Sequence, residues 1–164
     1  MTSEPRPASG DEVVTALAST AREERQNSLR ALHLLEYALA APAPRRHRTW
    51  VHRVTHAVDT LARVLADQAQ THEMSIGLLT EIALSHPTHA PQIQQLRYDL
   101  LDLAIATASV REQIEADDTF GINAADIRNR IADLTRRIRA HQARETDLIF
   151  DTTGLMIDND PEAP

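Results

Sequence analysis

The chain contains no cysteine and no lysine, and only four of its 164 residues are glycine. Without cysteine there is no disulfide framework, no thiolate metal site and no thiol nucleophile, which fits a reducing, cytoplasmic interior. Aromatic residues make up 3% of the chain. With so little glycine and so much Ala and Leu, that scarcity argues for helix and against a sandwich or barrel. No run of about eighteen apolar residues occurs, so no membrane span is expected. A Gly-rich phosphate loop, a nucleophile elbow and a His-Glu-x-x-His pair are also missing. Glycosidase-like carboxylates would need a cleft that a narrow helical fold does not imply. No enzymatic activity is therefore expected.

All seventeen basic residues are arginine, against twenty-four acidic ones, for a formal net charge of −7. The all-arginine usage reads as codon bias in a GC-rich genome. The local clusters Arg45-Arg46-x-Arg48 and Arg136-Arg137-x-Arg139 lie in an acidic whole without interleaved aromatics. They read as solvated helix faces, so neither nucleic acid nor membrane is an expected partner. The segment from Met1 to Gly10 has prolines and no apolar stretch, unlike a secretory signal. Residues 1–9 and 158–164 read as disordered, flanking one domain over 10–157.

Within that domain the apolar beat of threes and fours predicts four long helices. The first, about Asp11 to Ala40, carries Val14, Leu17, Ala21, Glu24, Ser28, Ala31 and Leu35 on one stripe, and Pro42 and Pro44 prevent its continuation. The second, about Arg45 to His72, carries Trp50, Val54, Val58, Leu61, Leu65, Gln68 and His72. A short helix, about Ser75 to Ser85, ends at His86-Pro87. The third long helix starts near Pro91 and reads Ile93, Leu96, Leu100, Leu103, Thr107, Val110, Ile114. The fourth, capped by Asn123 and ending before Gly154, reads Ile127, Ile131, Leu134, Ile138, His141, Glu145, Leu148. Short links make neighbours antiparallel. The expected fold is all-α: an up-down-up-down antiparallel four-helix bundle with a short extra helix between the second and third helices.

His141 and Glu145 thus replace two consecutive core positions with a base and an acid. Burying either alone is unfavourable, so both need partners: each other, further polar groups or a metal. Glu24 lies eighteen residues before Pro42, His141 eighteen after Asn123, and Tyr98 nineteen before Asp117. At about 1.5 Å per residue these sit roughly 27 Å from one end of the bundle. Gln68 and His72 reach the same level on the second helix. Glu24, Ser28, Gln68, His72, His141 and Glu145 should therefore form one polar layer, with Tyr98 and Asp99 flanking the stripe of the third long helix at that level. Two readings stay open: a hydrogen-bonded network that fixes helix register, or a metal held by His and carboxylate from facing helices. Of the other histidines, His52 and His56 have chelating spacing but fall opposite the apolar stripe, and read as solvated.

The stretch His141-Gln-Ala-Arg-Glu145-Thr-Asp-Leu-Ile-Phe150-Asp151, with Leu65-Ala-Asp-Gln68 through Thr71-His-Glu73 to Gly77-Leu-Leu, resembles hemerythrin-like (HHE cation-binding) domains in a form associated with bacteria. The resemblance spans roughly residues 20–155. It implies a non-haem di-iron centre with one ligand from the first helix, a His and a carboxylate from the second, two His from the third, and a His and a carboxylate from the fourth. By that resemblance His141 and Glu145 match the fourth-helix pair and Glu73 the second-helix carboxylate. Gln68 stands where a His is expected, with His72 as its substitute. The first helix offers Glu24 and no His, and the third offers Tyr98 and Asp99 in place of histidines. The ligand set is therefore degenerate: His141, Glu145, His72, Glu73, Glu24 and Gln68. The resemblance implies one weakly held metal ion, iron first, for metal- or oxygen-linked sensing or binding. The alternative is a metal-free interaction or regulatory module. A homo-oligomer or protein partner could use exposed Leu34 and Tyr37 or the Leu155-Met156-Ile157 tail.

Overall fold

A computed structural model describes residues 10–41, 47–74, 77–117 and 124–158. Among them every regular element is helical: α1 (Gly10–Ala40), α2 (His47–Glu73), α3 (Leu78–Ser85), a 3-10 turn (Pro87–His89), α4 (Ala90–Asp117) and α5 (Ala124–Asp158). The four long helices follow the predicted stripes. In α2 Trp50, Val54, Val58, Leu61 and Leu65 are buried; in α4 so are Ile93, Leu96, Leu100, Leu103, Thr107 and Ile114. Every position of the α5 stripe from Ile127 to Ile138 is buried as well. A stripe of this spacing buries one side of a helix and leaves the rest to water, which is why the four pack as a bundle.

The link between α2 and α4 is tighter than a loop. Gly77 enters α3 with φ of 115° and ψ of −178°, a conformation essentially reserved for glycine. At the other end the His86 backbone N–H donates to the Ile82 carbonyl (2.8 Å), and Pro87 starts the 3-10 turn that feeds α4. Leu78, Leu79 and Ile82 of α3 are buried against one end of the bundle.

The core is in two parts. The larger apolar cluster runs from Trp50, Ile114 and Ile127 to Leu65, Leu100 and Ile138. The smaller one joins Leu78, Leu79 and Ile82 to Ile93, Leu96 and Leu148, with Leu17 and Ala21 against it. Between them, in sequence and in space, lie the polar positions of α1, α2 and α5.

The helices are also linked by polar side chains. Arg111 pairs with Asp59 (3.6 Å) between α4 and α2, and Arg144 with Asp99 (2.7 Å) between α5 and α4. Arg130 donates to Gln113, and Arg139 pairs with Glu36. Near the start of α5, Arg128 donates to the carbonyls of Leu39 and Ala41 (both 3.4 Å) and stacks over the Trp50 ring at 4.9 Å. It thereby occupies carbonyls at the end of α1 that have no partner within their own helix.

Two expectations need correcting. Helix α5 does not end before Gly154 but continues to Asp158. A single glycine costs a helix only about 1 kcal/mol relative to alanine, which is too little to stop it. Tyr98, which the resemblance sets at a third-helix ligand position, does not face the polar layer: it is exposed. It lies two residues before Leu100, about 200° around the helix from a core position. The expected cap Asn123, the terminal segments 1–9 and 159–164, and the side chains of Leu155, Met156 and Ile157 lie outside the described residues.

Candidate functional site

The level arithmetic is met where α1, α2, α4 and α5 surround a small internal cavity of about 10 Å³. It is lined by Arg25 and Ser28 from α1, Leu65, Gln68 and His72 from α2, Leu100 from α4, and Ile138, His141, Gln142 and Glu145 from α5. That volume admits about one water molecule. The sequence-predicted Gln68, His72, His141 and Glu145 are thus brought together. Glu24 is half-buried beside them, close enough to act on Glu145 electrostatically. Glu73 ends α2, and its side chain lies outside the described residues.

One hydrogen bond ties the layer across the bundle: the Gln142 side-chain amide donates to the Ser28 hydroxyl at 2.8 Å, both residues being buried. The two imidazoles are less well served. Nδ1 of His72 and Nδ1 of His141 are each buried without a hydrogen-bond partner. A buried unpartnered nitrogen penalises the charged ring most. Burial, with the Arg144 guanidinium and the His72 imidazole adding to it against the pull of Asp99, lowers the His141 pKa to about 4. Burial, reinforced by Arg97, also pushes His72 below its usual value. Both rings are therefore neutral at physiological pH. The carboxyls move the opposite way: burial raises Glu145, with Arg25 opposing and Glu24 adding to the rise, and burial raises Glu24.

Three arginines thus act on this layer from its edges, and sequence reasoning assigned a role to none of them. Arg97 is fixed by a hydrogen bond to the Thr80 hydroxyl (2.7 Å), and Arg144 by Asp99. Arg25 lines the cavity itself. Gln142 was also missed. Its only signal was adjacency to His141, one step off the apolar stripe.

A di-iron centre of the kind the resemblance implies does not fit this donor set. The α4 positions at its level are exposed Tyr98 and half-buried Asp99, the latter engaged by Arg144. Among the described residues no three His, Asp or Glu side chains come together as a metal-holding group. What remains is two neutral imidazoles whose Nδ1 atoms lack hydrogen-bond partners and one carboxyl group lining the same cavity, without being grouped closely enough to form a three-ligand site. His52 and His56 are exposed on α2, in an open groove with Arg48, Asp59 and Glu115.

Among the described residues no helix is long and apolar enough to cross a membrane. Comparison with protein-family models, with curated proteins and with solved structures found no match to this chain.

Proposed function

We propose that the protein is an up-down-up-down four-helix bundle, related in plan to hemerythrin-like domains, that works as a non-enzymatic interaction module. In this reading its polar layer sets helix register instead of holding iron. The antiparallel plan is supported by the numbering of the cross-links. On α1 and α5, Leu39 meets Arg128 while Ser28 meets Gln142; on α4 and α5, Gln113 meets Arg130 while Asp99 meets Arg144. As one helix ascends, its neighbour descends.

The observation that carries the functional reading is the buried hydrogen bond that joins Gln142 of α5 to Ser28 of α1. The charges around it are of both signs: Arg25, Arg97 and Arg144 act on the titratable groups of the layer, and so do Asp99 and Glu24. Neutral imidazoles, an amide and a hydroxyl are tolerated there without a metal. The Ser28–Gln142 bond gives the layer a geometric job, because slipping either helix by one residue breaks it.

A second reading, one weakly bound iron or zinc ion, is favoured by a different observation: the unpartnered Nδ1 atoms of His72 and His141 at a common cavity. Neutral imidazole is the form a metal takes. Elemental analysis of protein purified without a metal-affinity tag separates the two. The interaction reading expects far less than one metal per chain and no rise in melting temperature with added iron or zinc. Metal near one per chain, with a rise that disappears in His141→Ala, overturns it.

A further inference from the structure

The cavity inside the polar layer is built from groups that apolar packing would exclude. Seven of its ten lining residues are polar, and they come from α1, α2 and α5. Ser28, His141 and Gln142 among them are 1%, 4% and 8% exposed. Nδ1 of His141 and Nδ1 of His72 are buried with no hydrogen-bond partner. Among the lining residues the one side-chain hydrogen bond between helices, from Gln142 to Ser28, joins α5 to α1 and leaves α2 untied.

We infer that this cavity binds one structural water molecule, which bridges His72 of α2 and His141 of α5 and so ties α2 into the layer. Its volume of about 10 Å³ matches about one water. An apolar cavity stays dry, whereas a polar one with several partners to offer holds its water. The donor and acceptor inventory selects the same ligand. Both rings are neutral at physiological pH, and a neutral imidazole carries one N–H and one bare nitrogen. Whichever tautomer each ring takes, its Nδ1 is either a donor or an acceptor. Water donates twice and accepts twice, so it serves every combination. A cation serves only bare nitrogens and an anion only N–H groups. Chloride is moreover wider than a water molecule, and the Glu145 carboxyl group lines the same space. One shared water satisfies neutral rings without replacing the bulk hydration that an imidazolium needs, so both histidines stay averse to charge.

This bridge rests on the reading of the layer as a register device and deepens it. The Ser28–Gln142 bond sets α1 against α5, and the water sets α2 against α5. A slip of one residue turns His72 about 100° around its helix and takes its nitrogen away from the cavity. The water then loses a partner and the layer keeps a buried polar group unpaired, which is the costly arrangement. Register on three helices is thus held by one direct bond and one bridged one.

Two measurements on the full chain test the bridge. Oxygen-17 magnetic relaxation dispersion at pH 7 counts waters held for longer than the protein takes to tumble. His141→Leu removes one partner and fills the space, so the count should fall by about one per chain. His52→Ala, on the exposed side of α2, should leave the count unchanged. A crystal structure of the wild-type chain should show a single water peak at about 2.7–3.2 Å from Nδ1 of both histidines. Equal counts in wild type and His141→Leu, or a dry cavity in the wild-type crystal, would overturn the bridge while the Ser28–Gln142 bond, and the register reading with it, stands. A metal at that position, identified by anomalous scattering, would overturn both. Should His141→Leu fail to fold, the wild-type crystal structure decides alone.

Discussion

Replacing His141 with leucine should remove much of the protein's sensitivity to acid. The unfolded chain takes up a proton on this imidazole near the ordinary value of 6.5, whereas the folded chain resists until about pH 4. Between those limits the unfolded state binds more protons, so stability rises with pH there and falls as pH is lowered. The full difference is about 2.5 units, or about 3 kcal/mol at 1.36 kcal/mol per unit. By pH 5 the wild type should already have lost about 2 kcal/mol through this one group. His72, also lowered, contributes in the same direction. Glu145 and Glu24, both raised, work the other way: their contribution is present below pH 4.5 and is lost as pH rises through their folded values. The two histidines and two carboxyls therefore offset one another in part, and only a difference measurement isolates His141. Urea denaturation of wild type and His141→Leu, followed by far-ultraviolet circular dichroism from pH 7 downward, supplies that difference. At pH 7 the variant should lie within about 1.5 kcal/mol of wild type, because leucine is of similar size and leaves no unpartnered nitrogen. By about pH 5 it should be more stable than wild type by about 2 kcal/mol relative to its standing at pH 7. Parallel pH profiles for the two proteins would show that His141 is solvated or partnered, and the account of the layer would fail.

The other expectations are quick to check. Ser28→Ala leaves the buried Gln142 amide without its acceptor and should cost about 1–3 kcal/mol in urea, while Ser28→Ala with Gln142→Leu should recover most of that; no recovery would mean the bond is incidental. Gly77→Ala has open space around its added carbon, so any loss is backbone strain, about 1–3 kcal/mol, read as a lower melting temperature. Ile131→Ala, in the larger cluster, should cost about 2–5 kcal/mol. Arg128→Lys should not match Arg128, because one ammonium cannot reach both the Leu39 and Ala41 carbonyls while covering Trp50; a melting temperature equal to wild type would refute that role.

Most of the architecture was legible because helical burial leaves a periodic trace. Val54, Val58, Leu61 and Leu65 repeat at a spacing that only a helix places on one side, and each is buried. The polar layer was legible for a related reason: His141, Gln68 and Ser28 interrupt three such stripes, and rise per residue fixes their heights. What periodicity does not report is the position of long, flexible side chains. Arg25, Arg97 and Arg144 lie off the stripes and reach the layer by their length, so their influence on its titration was invisible. The end of α5 was misjudged because Gly154 is a permissive residue, not an obligatory stop. Tyr98 was read beside the α4 stripe, and its exposure follows from lying about 200° around the helix from Leu100.

The division of the core by the polar layer bears on how the molecule comes apart. The cluster around Leu78, Ile82, Ile93 and Leu148 is joined to the main cluster through groups that gain little from desolvation. Amide hydrogen exchange should then resolve two protection levels along a single helix. Amides of α5 near Ile131 would exchange only through global unfolding, and those near Leu148 through a smaller opening that releases α3 and the adjoining helix ends. Continuous helices would thus carry two cooperative units, with the boundary set by side chains and not by any break in the backbone.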